Sequence, residues 1–271
     1  QADATFASKL AALADVYVLD SFCLAHREYA STTGVIPLIK TCAFGPHFMA
    51  EYDGFSTFWP QAPKPRAVIV GGNKVAAKLS TLQVLIPNLE YILIGGNVAL
   101  TFHAALGLPI GQSYADTTSF DTAREMLHSA GAAGCRLILP SDFVVTSPEA
   151  DSKPQVVRPR EVQPFHNIID VGPLTLTIWQ EKILPDIKTV AWNGPLGAYE
   201  NDHNCANNQM LKWLGEHKAK STYLVGSDML RSTLIAGVDP TSFAAFSNAG
   251  GAGLKLLAGQ PLAAVDAILA R

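Results

Sequence analysis

Two lysines follow a glycine pair in the sequence Gly71-Gly72-Asn73-Lys74-Val75-Ala76-Ala77-Lys78. Glycines after a strand let the backbone approach a ligand and leave N–H groups free at a helix start, which suits a phosphate chain. Lys74 and Lys78 are four residues apart, so at the start of a helix they share one face and offer two positive charges to phosphate oxygens. The segment predicts a phosphate-binding turn; two solvated lysines on a helix are the alternative.

Four further glycine clusters follow apolar runs or precede a helical pattern. In an open α/β sheet, ligands bind outside the carboxyl ends of the strands, where such turns lie. Tight strand-to-helix turns explain any single glycine pair, whereas five clusters favour a ligand site. Neither GxGxxG nor GxxxxGK[ST] occurs, which excludes the standard dinucleotide-binding and P-loop motifs. The clusters are Gly95-Gly96-Asn97, Asn193-Gly194-Pro195-Leu196-Gly197, Gly226-Ser227-Asp228 and Ala249-Gly250-Gly251-Ala252-Gly253.

Strand-length apolar runs alternate along the chain with stretches of helical periodicity. This alternation predicts an α/β fold, a doubly wound parallel sheet with helices on both faces. The intervening stretches are long enough for crossover helices. The apolar runs are 16–18, 67–70, 91–94, 136–139, 189–192 and 222–225, and the helical stretches include 78–85, 97–106 and 122–133.

A proline-rich segment, Pro60-Gln61-Ala62-Pro63-Lys64-Pro65, separates the first 60 residues from the regular strand and helix series. The polar, proline-rich segment 147–163 is interpreted as an excursion inside the second domain. We expect a partial N-terminal α/β domain over 1–45, an interdomain helix and linker over 46–64, the main domain over 65–254, and a C-terminal helix over 255–271 that returns to the N-terminal domain.

Composition limits the classes of function. The 271 residues are 48% apolar and 16% charged, with a net charge of −3 and scattered basic residues. This distribution argues against nucleic acid and against an anionic membrane surface as partners. No apolar run approaches the roughly 20 residues of a membrane helix. The four cysteines are far apart and form no CxxC pair, which argues against a zinc or redox site and favours a reducing compartment.

Several segments occur in the order seen in phosphoglycerate kinases, and the sequence resembles that family over essentially all 271 residues. Trp192-Asn193-Gly194-Pro195 is the most specific segment. The others are Asp15-Val16-Tyr17-Val18-Leu19-Asp20-Ser21-Phe22, Ala25-His26-Arg27, Ala30-Ser31-Thr32-Thr33-Gly34-Val35, Gly71 to Lys78, Ile94-Gly95-Gly96 with Thr101-Phe102, Leu139-Pro140-Ser141-Asp142, Asp170-Val171-Gly172-Pro173, and Leu196-Gly197-Ala198-Tyr199-Glu200.

The resemblance implies a kinase that moves a phosphoryl group between 1,3-bisphosphoglycerate and ADP. Catalysis of this transfer consists mostly of positioning and charge neutralisation. Lys74 and Lys78 are the implied catalytic residues, with Lys78 in contact with the transition state. Arg27 is implied to bind phosphoglycerate through its guanidinium. A structural arginine paired with an acid such as Asp20 is the alternative.

The resemblance also assigns 65–254 as the nucleotide-binding domain, with ATP or ADP as substrate. Glu200 would accept hydrogen bonds from the ribose hydroxyls, and Asn193 would shape the phosphate region, although a turn-capping asparagine is an equal alternative. Asp228 matches the family's magnesium-associated aspartate; Mg²⁺ needs only one or two carboxylates besides phosphate oxygens. The implied nucleotide-binding residues are Gly72, Gly95, Gly96, Asn193, Glu200, Gly226, Ser227, Asp228, Met229, Gly250 and Gly251.

The sequence departs from the family pattern at the turns where phosphates would bind. Met229 replaces a hydroxyl residue, and Ser227 replaces a glycine, which adds a Cβ where a phosphate or a positive φ needs space. Asn73 replaces an alanine, and 247–253 lacks one of the family's glycines. The basic patch that the family carries near its N-terminus does not occur in this sequence, which begins at Gln1 without a secretory signal and is interpreted as part of a longer chain.

Two functions are consistent with these observations. The first is a divergent phosphoglycerate kinase whose front third lies outside this sequence and which is active when that region is present. It is expected to be a cytoplasmic monomer that binds 3-phosphoglycerate or 1,3-bisphosphoglycerate, with an organelle as the other possible location. The second is a catalytically impaired relative kept as a structural subunit of a larger assembly, which the altered turns and the incomplete N-terminal domain motivate. An unrelated oxidoreductase is disfavoured because the dinucleotide motif is absent.

Overall fold

The structure is a computed structural model that describes residues 3–56, 61–148, 153–198, 205–217 and 221–271. The chain folds as two compact units, one formed by Gln1–Gln61 with Ala245–Arg271 and the other by Ala62–Ala244. The domain limits expected from the sequence at 45, 64 and 254 remain predictions. Within the described residues, no helix is both long and apolar enough to cross a membrane.

The first unit combines the two ends of the chain. Strand β1 (Val16–Leu19) pairs in parallel with β2 (Thr41–Phe44). Phe44, Phe48 and Tyr52 stack in sequence, with ring centroids 4.9 and 5.5 Å apart. Phe22 meets Phe48 edge to face, and both side chains are fully buried. These aromatic side chains pack with aliphatic residues from both ends of the chain, among them Leu19, Leu262 and Val265, in the unit's core. The elements are α1 (Ala4–Ala11), β1 (Val16–Leu19), β2 (Thr41–Phe44), α2 (Pro46–Ser56), β11 (Ala245–Ser247), α9 (Gly250–Leu257) and α10 (Ala263–Leu269).

The second unit is built on parallel strands. The six apolar runs of the sequence all form strands, five of them here, and the expected α/β fold with a parallel sheet flanked by helices is confirmed. The strands are β3 (Arg66–Val70), β4 (Tyr91–Ile94), β5 (Arg136–Ile138), β9 (Thr189–Asn193) and β10 (Ser221–Val225). The helices are α3 (Val75–Leu85), α4 (Gly96–Ala105), α5 (Phe120–Ala132), α6 (Pro173–Ile178), α7 (Cys205–Glu216) and α8 (Ser227–Ala236).

A smaller antiparallel sheet lies in the same unit, in the order β7-β6-β8. Its strands are β6 (Phe143–Thr146), β7 (Gln155–Val157) and β8 (Asn167–Val171). The proline-rich excursion expected over 147–163 therefore contains β7, one edge of this sheet. These short strands were not predicted, because they lack an alternating pattern of sufficient length.

The order of the parallel strands fixes the place of a ligand site. These strands lie side by side as β10-β9-β3-β4-β5. The chain runs outward from β3 through β4 to β5 and then returns to the opposite side of β3 with β9 and β10. The strand order thus reverses between β3 and β9, and open α/β sheets bind ligands at such a switch point. The registers place Val70, Ile94, Asn193 and Val225 level with one another, so the following turns share one edge.

One buried carboxylate organises the start of α6. Asp142 is 2% exposed and accepts hydrogen bonds from the backbone N–H groups of Leu174 and Thr175 at 3.0 and 2.8 Å. It also accepts a bond of 2.7 Å from the Thr175 hydroxyl. The side chain thus satisfies donors at the N-terminus of a helix more than 30 residues away in sequence.

The Asp142→Ala substitution is expected to lower the free energy of unfolding by at least about 2 kcal/mol, since buried donors lose their acceptor. Asp121→Ala is the matched control. Asp121 is almost fully exposed and forms a surface ion pair with Arg124, so its loss should cost less than about 1 kcal/mol. Urea unfolding of both variants measures the difference. Equal effects would show that the Asp142 bonds do not stabilise α6.

Candidate functional site

Three turns after β3, β4 and β9 hold one another by backbone hydrogen bonds. Gly72 N–H donates to Pro195 O at 2.7 Å, and Gly96 N–H donates to Leu196 O at 2.8 Å. Gly71 N–H donates to Asn193 O at 3.0 Å. Three of the five glycine clusters singled out in the sequence are thus in direct contact at the edge of the sheet.

Backbone contact at this distance leaves no room for side chains. A Cβ on Gly96 would lie 2.4 Å from Gly72 N, and its φ of 54° is in the left-handed region that favours glycine. A Cβ on Gly71 would lie 2.0 Å from Pro195 O, and one on Gly95 would lie 2.6 Å from the Leu196 side chain. The glycines are therefore required by packing between turns, independently of any ligand.

Residues 192–195, at and after the end of β9, make further hydrogen bonds. The fully buried Trp192 donates its indole N–H to Gly194 O at 2.8 Å. The Asn193 side chain, 5% exposed, donates to Val225 O at 2.6 Å and so links the end of β9 to the end of β10. Of the two sequence interpretations of Asn193, its contacts fit turn stabilisation; phosphate contact stays a prediction.

The two lysines occupy different environments. Lys74 is exposed and precedes α3, whereas Lys78 is 8% exposed and donates through Nζ to Gly71 O. Burial lowers the pKa of Lys78 to about 8, with nearby Asp228 opposing and Lys74 adding to that shift. A Cβ on Gly72 would come within 3.0 Å of Nζ, which places the ammonium beside the first turn.

The turn after β10 begins α8. Gly226 has a φ of 110°, and Ser227 is the first helical residue, so the backbone strain expected at Ser227 falls on the glycine instead. The Met229 side chain is fully buried and faces the core, while Ser227 and Asp228 are exposed. The Met229 side chain is therefore not available to a ligand.

A cavity of about 290 Å³ opens beside the three turns. Its apolar walls include Leu100, Phe143 and Leu196, and amide side chains of Asn73, Asn97 and Asn167 stand around it. A concave site with apolar walls and a few polar groups suits a small ligand with a flat hydrophobic part. The other lining residues are Gly72, Gly96, Ser113, Tyr114, Ile168, Ile169, Asp170, Val171, Pro195, Gly197 and Ala198.

Three other predicted site residues lie in the first unit. Gly250 and Gly251 begin α9, whose turn is held by Glu51: the carboxylate of Glu51 accepts bonds from Ser247 Oγ and Asn248 N–H. Arg27 is exposed, and no ion pair involves it among the residues that the structure describes. The carboxylate of Asp20 instead accepts from Phe48 N–H at 2.9 Å. Glu200 lies outside the described residues.

The structure adds two buried polar residues that sequence reasoning missed. Asn207 in α7, 1% exposed, accepts a bond of 2.8 Å from Leu196 N–H through its side chain. Asp170 at the end of β8, 4% exposed, accepts bonds from Val171 and Ala206 N–H at 2.9 and 3.0 Å. Asp170 was part of a quoted motif, whereas no pattern singled out Asn207, since a polar residue in an amphipathic helix is usually solvated.

The described residues contain no group of three or more histidine, cysteine, aspartate or glutamate side chains that could hold a metal by themselves. Mg²⁺, in contrast, binds through one or two carboxylates together with phosphate oxygens of a substrate. Asp228, exposed in the first turn of α8 and close enough to Lys78 to raise its pKa, fits that requirement.

Known proteins match this chain over nearly its whole length. A family model described as phosphoglycerate kinase matches residues 1–260. The cytosolic phosphoglycerate kinase 3 of Arabidopsis thaliana is 36% identical, covering 98% of this chain and 67% of that protein. The phosphoglycerate kinase of Synechococcus sp. strain RCC307 is 37% identical, covering 97% and 66%. The solved phosphoglycerate kinase of Coxiella burnetii has a TM-score of 0.84 at 30% identity, covering 99% and 69%. The chain spans about two thirds of the length of these relatives.

The stability of the second unit is expected to depend on pH through Asp170. Burial raises the pKa of Asp170 to about 7, against the opposing effect of two N–H donors. Between about pH 4 and 7 the folded protein keeps a proton that the unfolded chain releases. Stability is therefore lost as pH rises through this range, by up to about 1.4 kcal/mol per pH unit.

Asp170→Asn removes this titration. Urea unfolding at pH 5, 6, 7 and 8 measures the free energy of unfolding of both proteins. The wild-type value is expected to fall relative to that of the variant up to about pH 7, and the difference should then stay constant. A difference that does not change with pH would contradict the raised pKa.

Proposed function

This chain belongs to the phosphoglycerate kinase family, and on that premise we propose that it transfers a phosphoryl group between 1,3-bisphosphoglycerate and ADP. The observation that carries the proposal is the cavity at the β3/β9 switch point, with the Lys78 ammonium next to its Gly72 edge. The alternative, a structural subunit without catalysis, is not favoured, because the relatives are named as kinases throughout.

The nucleoside of ADP or ATP would occupy the cavity. Its walls of Leu100, Phe143 and Leu196 suit the faces of a base, and the asparagine amides around it can bond base or sugar edges. The phosphates would then extend along the turns at 71–74, 193–197 and 226–228, where the start of α8 and the two lysines attract negative charge.

Lys78 would neutralise charge on the transferring phosphoryl group. Its ammonium lies in a buried setting, where a charge interacts with a ligand more strongly than in water. Since burial has lowered its pKa to about 8, the side chain remains mostly protonated at neutral pH. Lys74, exposed at the mouth of the same turn, would contact phosphates from the solvent side.

Asp228 would hold Mg²⁺ together with the nucleotide phosphates, and the bound ion would neutralise charge on their oxygens. The remaining assignments follow from the family. Arg27 would bind phosphoglycerate, Glu200 the ribose, and the turn at Gly250 and Gly251 a phosphate. A cytoplasmic location and a monomeric state complete the proposal.

ADP affinity, measured without magnesium, is expected to fall as pH rises through about 8, because Lys78 loses its charge. Lys78→Met should weaken binding at pH 7.5 by about 10- to 100-fold and make it insensitive to pH up to 10. Lys74→Met should move the fall to higher pH, and Asp228→Asn to lower pH, because Lys74 lowers and Asp228 raises the pKa of Lys78. Calorimetric titrations at several pH values measure these shifts; an unchanged midpoint in both variants would refute them.

Turnover tests the proposal itself. The intact protein is titrated with magnesium ADP by calorimetry and assayed with magnesium ATP and 3-phosphoglycerate in a coupled assay. The proposal predicts binding and turnover, both reduced in Lys78→Met. Absence of heat at millimolar nucleotide would overturn it, and binding without turnover would favour the structural subunit. Ser227→Gly with Met229→Thr measures what the altered α8 turn costs in nucleotide affinity.

A further inference from the structure

Asp170 has a buried carboxylate that lines the cavity and belongs to none of the glycine turns. It stands at the end of β8 in the antiparallel sheet. Oδ1 accepts from Val171 N–H at 2.9 Å, and Oδ2 accepts from Ala206 N–H at 3.0 Å, in the first turn of α7. The two oxygens therefore join the antiparallel sheet to the start of a helix that follows β9 in the chain.

The same carboxylate also contacts the cavity wall at Gly197. A Cβ on Gly197 would lie 2.3 Å from Asp170 Oδ1, so that wall sits directly against the carboxylate. The next residue, Ala198, donates its N–H to Ile169 O at 2.7 Å. Gly197 and Ala198 both line the cavity. The position of this wall is thus set by Asp170 and its neighbour in β8.

We infer that Asp170 is a positioning residue for the nucleoside part of the nucleotide, because it packs against the 197–198 wall of the cavity and limits where that wall can lie. This inference rests on the proposed function. The start of α7 supplies the positive end of a helix dipole to the carboxylate. Burial opposes the charge and raises the pKa to about 7, while the two N–H donors lower it, so the bonds that fix the wall also keep the group ionised above neutral pH.

Asp142 provides a matched comparison for a purely structural role. It is equally buried, accepts from two backbone N–H groups and lies at the start of another helix, α6. It does not line the cavity. If Asp170 only stabilised the fold, substitution of either aspartate would change the ligand affinities in the same way.

The test compares Asp170→Asn and Asp142→Asn in the full chain at pH 8 by calorimetry with ADP, adenosine and pyrophosphate. Asp170→Asn keeps the size of the side chain but leaves one N–H without an acceptor. It is expected to lower the affinity for ADP and for adenosine by about three- to tenfold. The affinity for pyrophosphate should stay unchanged, because the phosphates bind at the other turns. Asp142→Asn should leave the affinities for all three ligands unchanged.

Equal loss for pyrophosphate and adenosine, or no loss for either, would overturn the inference. Wild-type protein that binds no ADP would overturn the proposed function instead, so the two failures are distinguishable. If Asp170→Asn does not fold, Gly197→Ala replaces it in the test, because the added Cβ displaces the same carboxylate without removing it. Gly197→Ala must then lower the affinity for ADP and adenosine and leave that for pyrophosphate unchanged. A wild-type circular dichroism spectrum and a cooperative unfolding transition establish that each variant is folded.

Discussion

Direct backbone contact between the turns after β3, β4 and β9 is the constraint on which the site depends. The N–H groups of Gly71, Gly72 and Gly96 are bonded to carbonyls of the 193–196 segment, at distances of 2.7–3.0 Å. Side chains at these glycines would collide with the facing backbone. The turns therefore form one rigid edge, and the cavity beside it has its shape before any ligand binds, which lowers the ordering cost of binding.

This packing also explains the electrostatics of the site. Closing the turns buries Lys78 against Gly71 O, and burial lowers its pKa to about 8 while Asp228 works against that shift. At the other wall, burial raises the pKa of Asp170 to about 7. A cation and a carboxylate with opposite shifts thus flank one cavity. Perturbed pKa values of this kind are concentrated at functional sites, which is consistent with the proposed phosphoryl transfer.

Much of this arrangement could be predicted from the sequence, because strand periodicity and glycine turns are local signals. Such patterns predicted the parallel strands, the edge of the sheet where the turns meet, and Lys78 as a site residue. Ser227 and Met229 were harder: their types suggested altered ligand contacts, but the positive φ falls on Gly226 and the methionine faces the core. Asp170 and Asn207 act through partners roughly 10 to 40 residues away. Only the tertiary structure brings those partners together.

Amide chemical shifts of the full chain, recorded with and without magnesium ADP, test the central claim most directly. Glycine amides are few and well separated in such spectra. The account predicts that the largest changes fall on Gly71, Gly72, Gly95, Gly96 and Gly194, with smaller ones at Gly226, while Gly107 and Gly134, which have no neighbour at their Cβ positions, stay unchanged. Saturable shifts confined to residues outside these turns, or no shifts at millimolar nucleotide, would contradict a nucleotide site at the β3/β9 switch point.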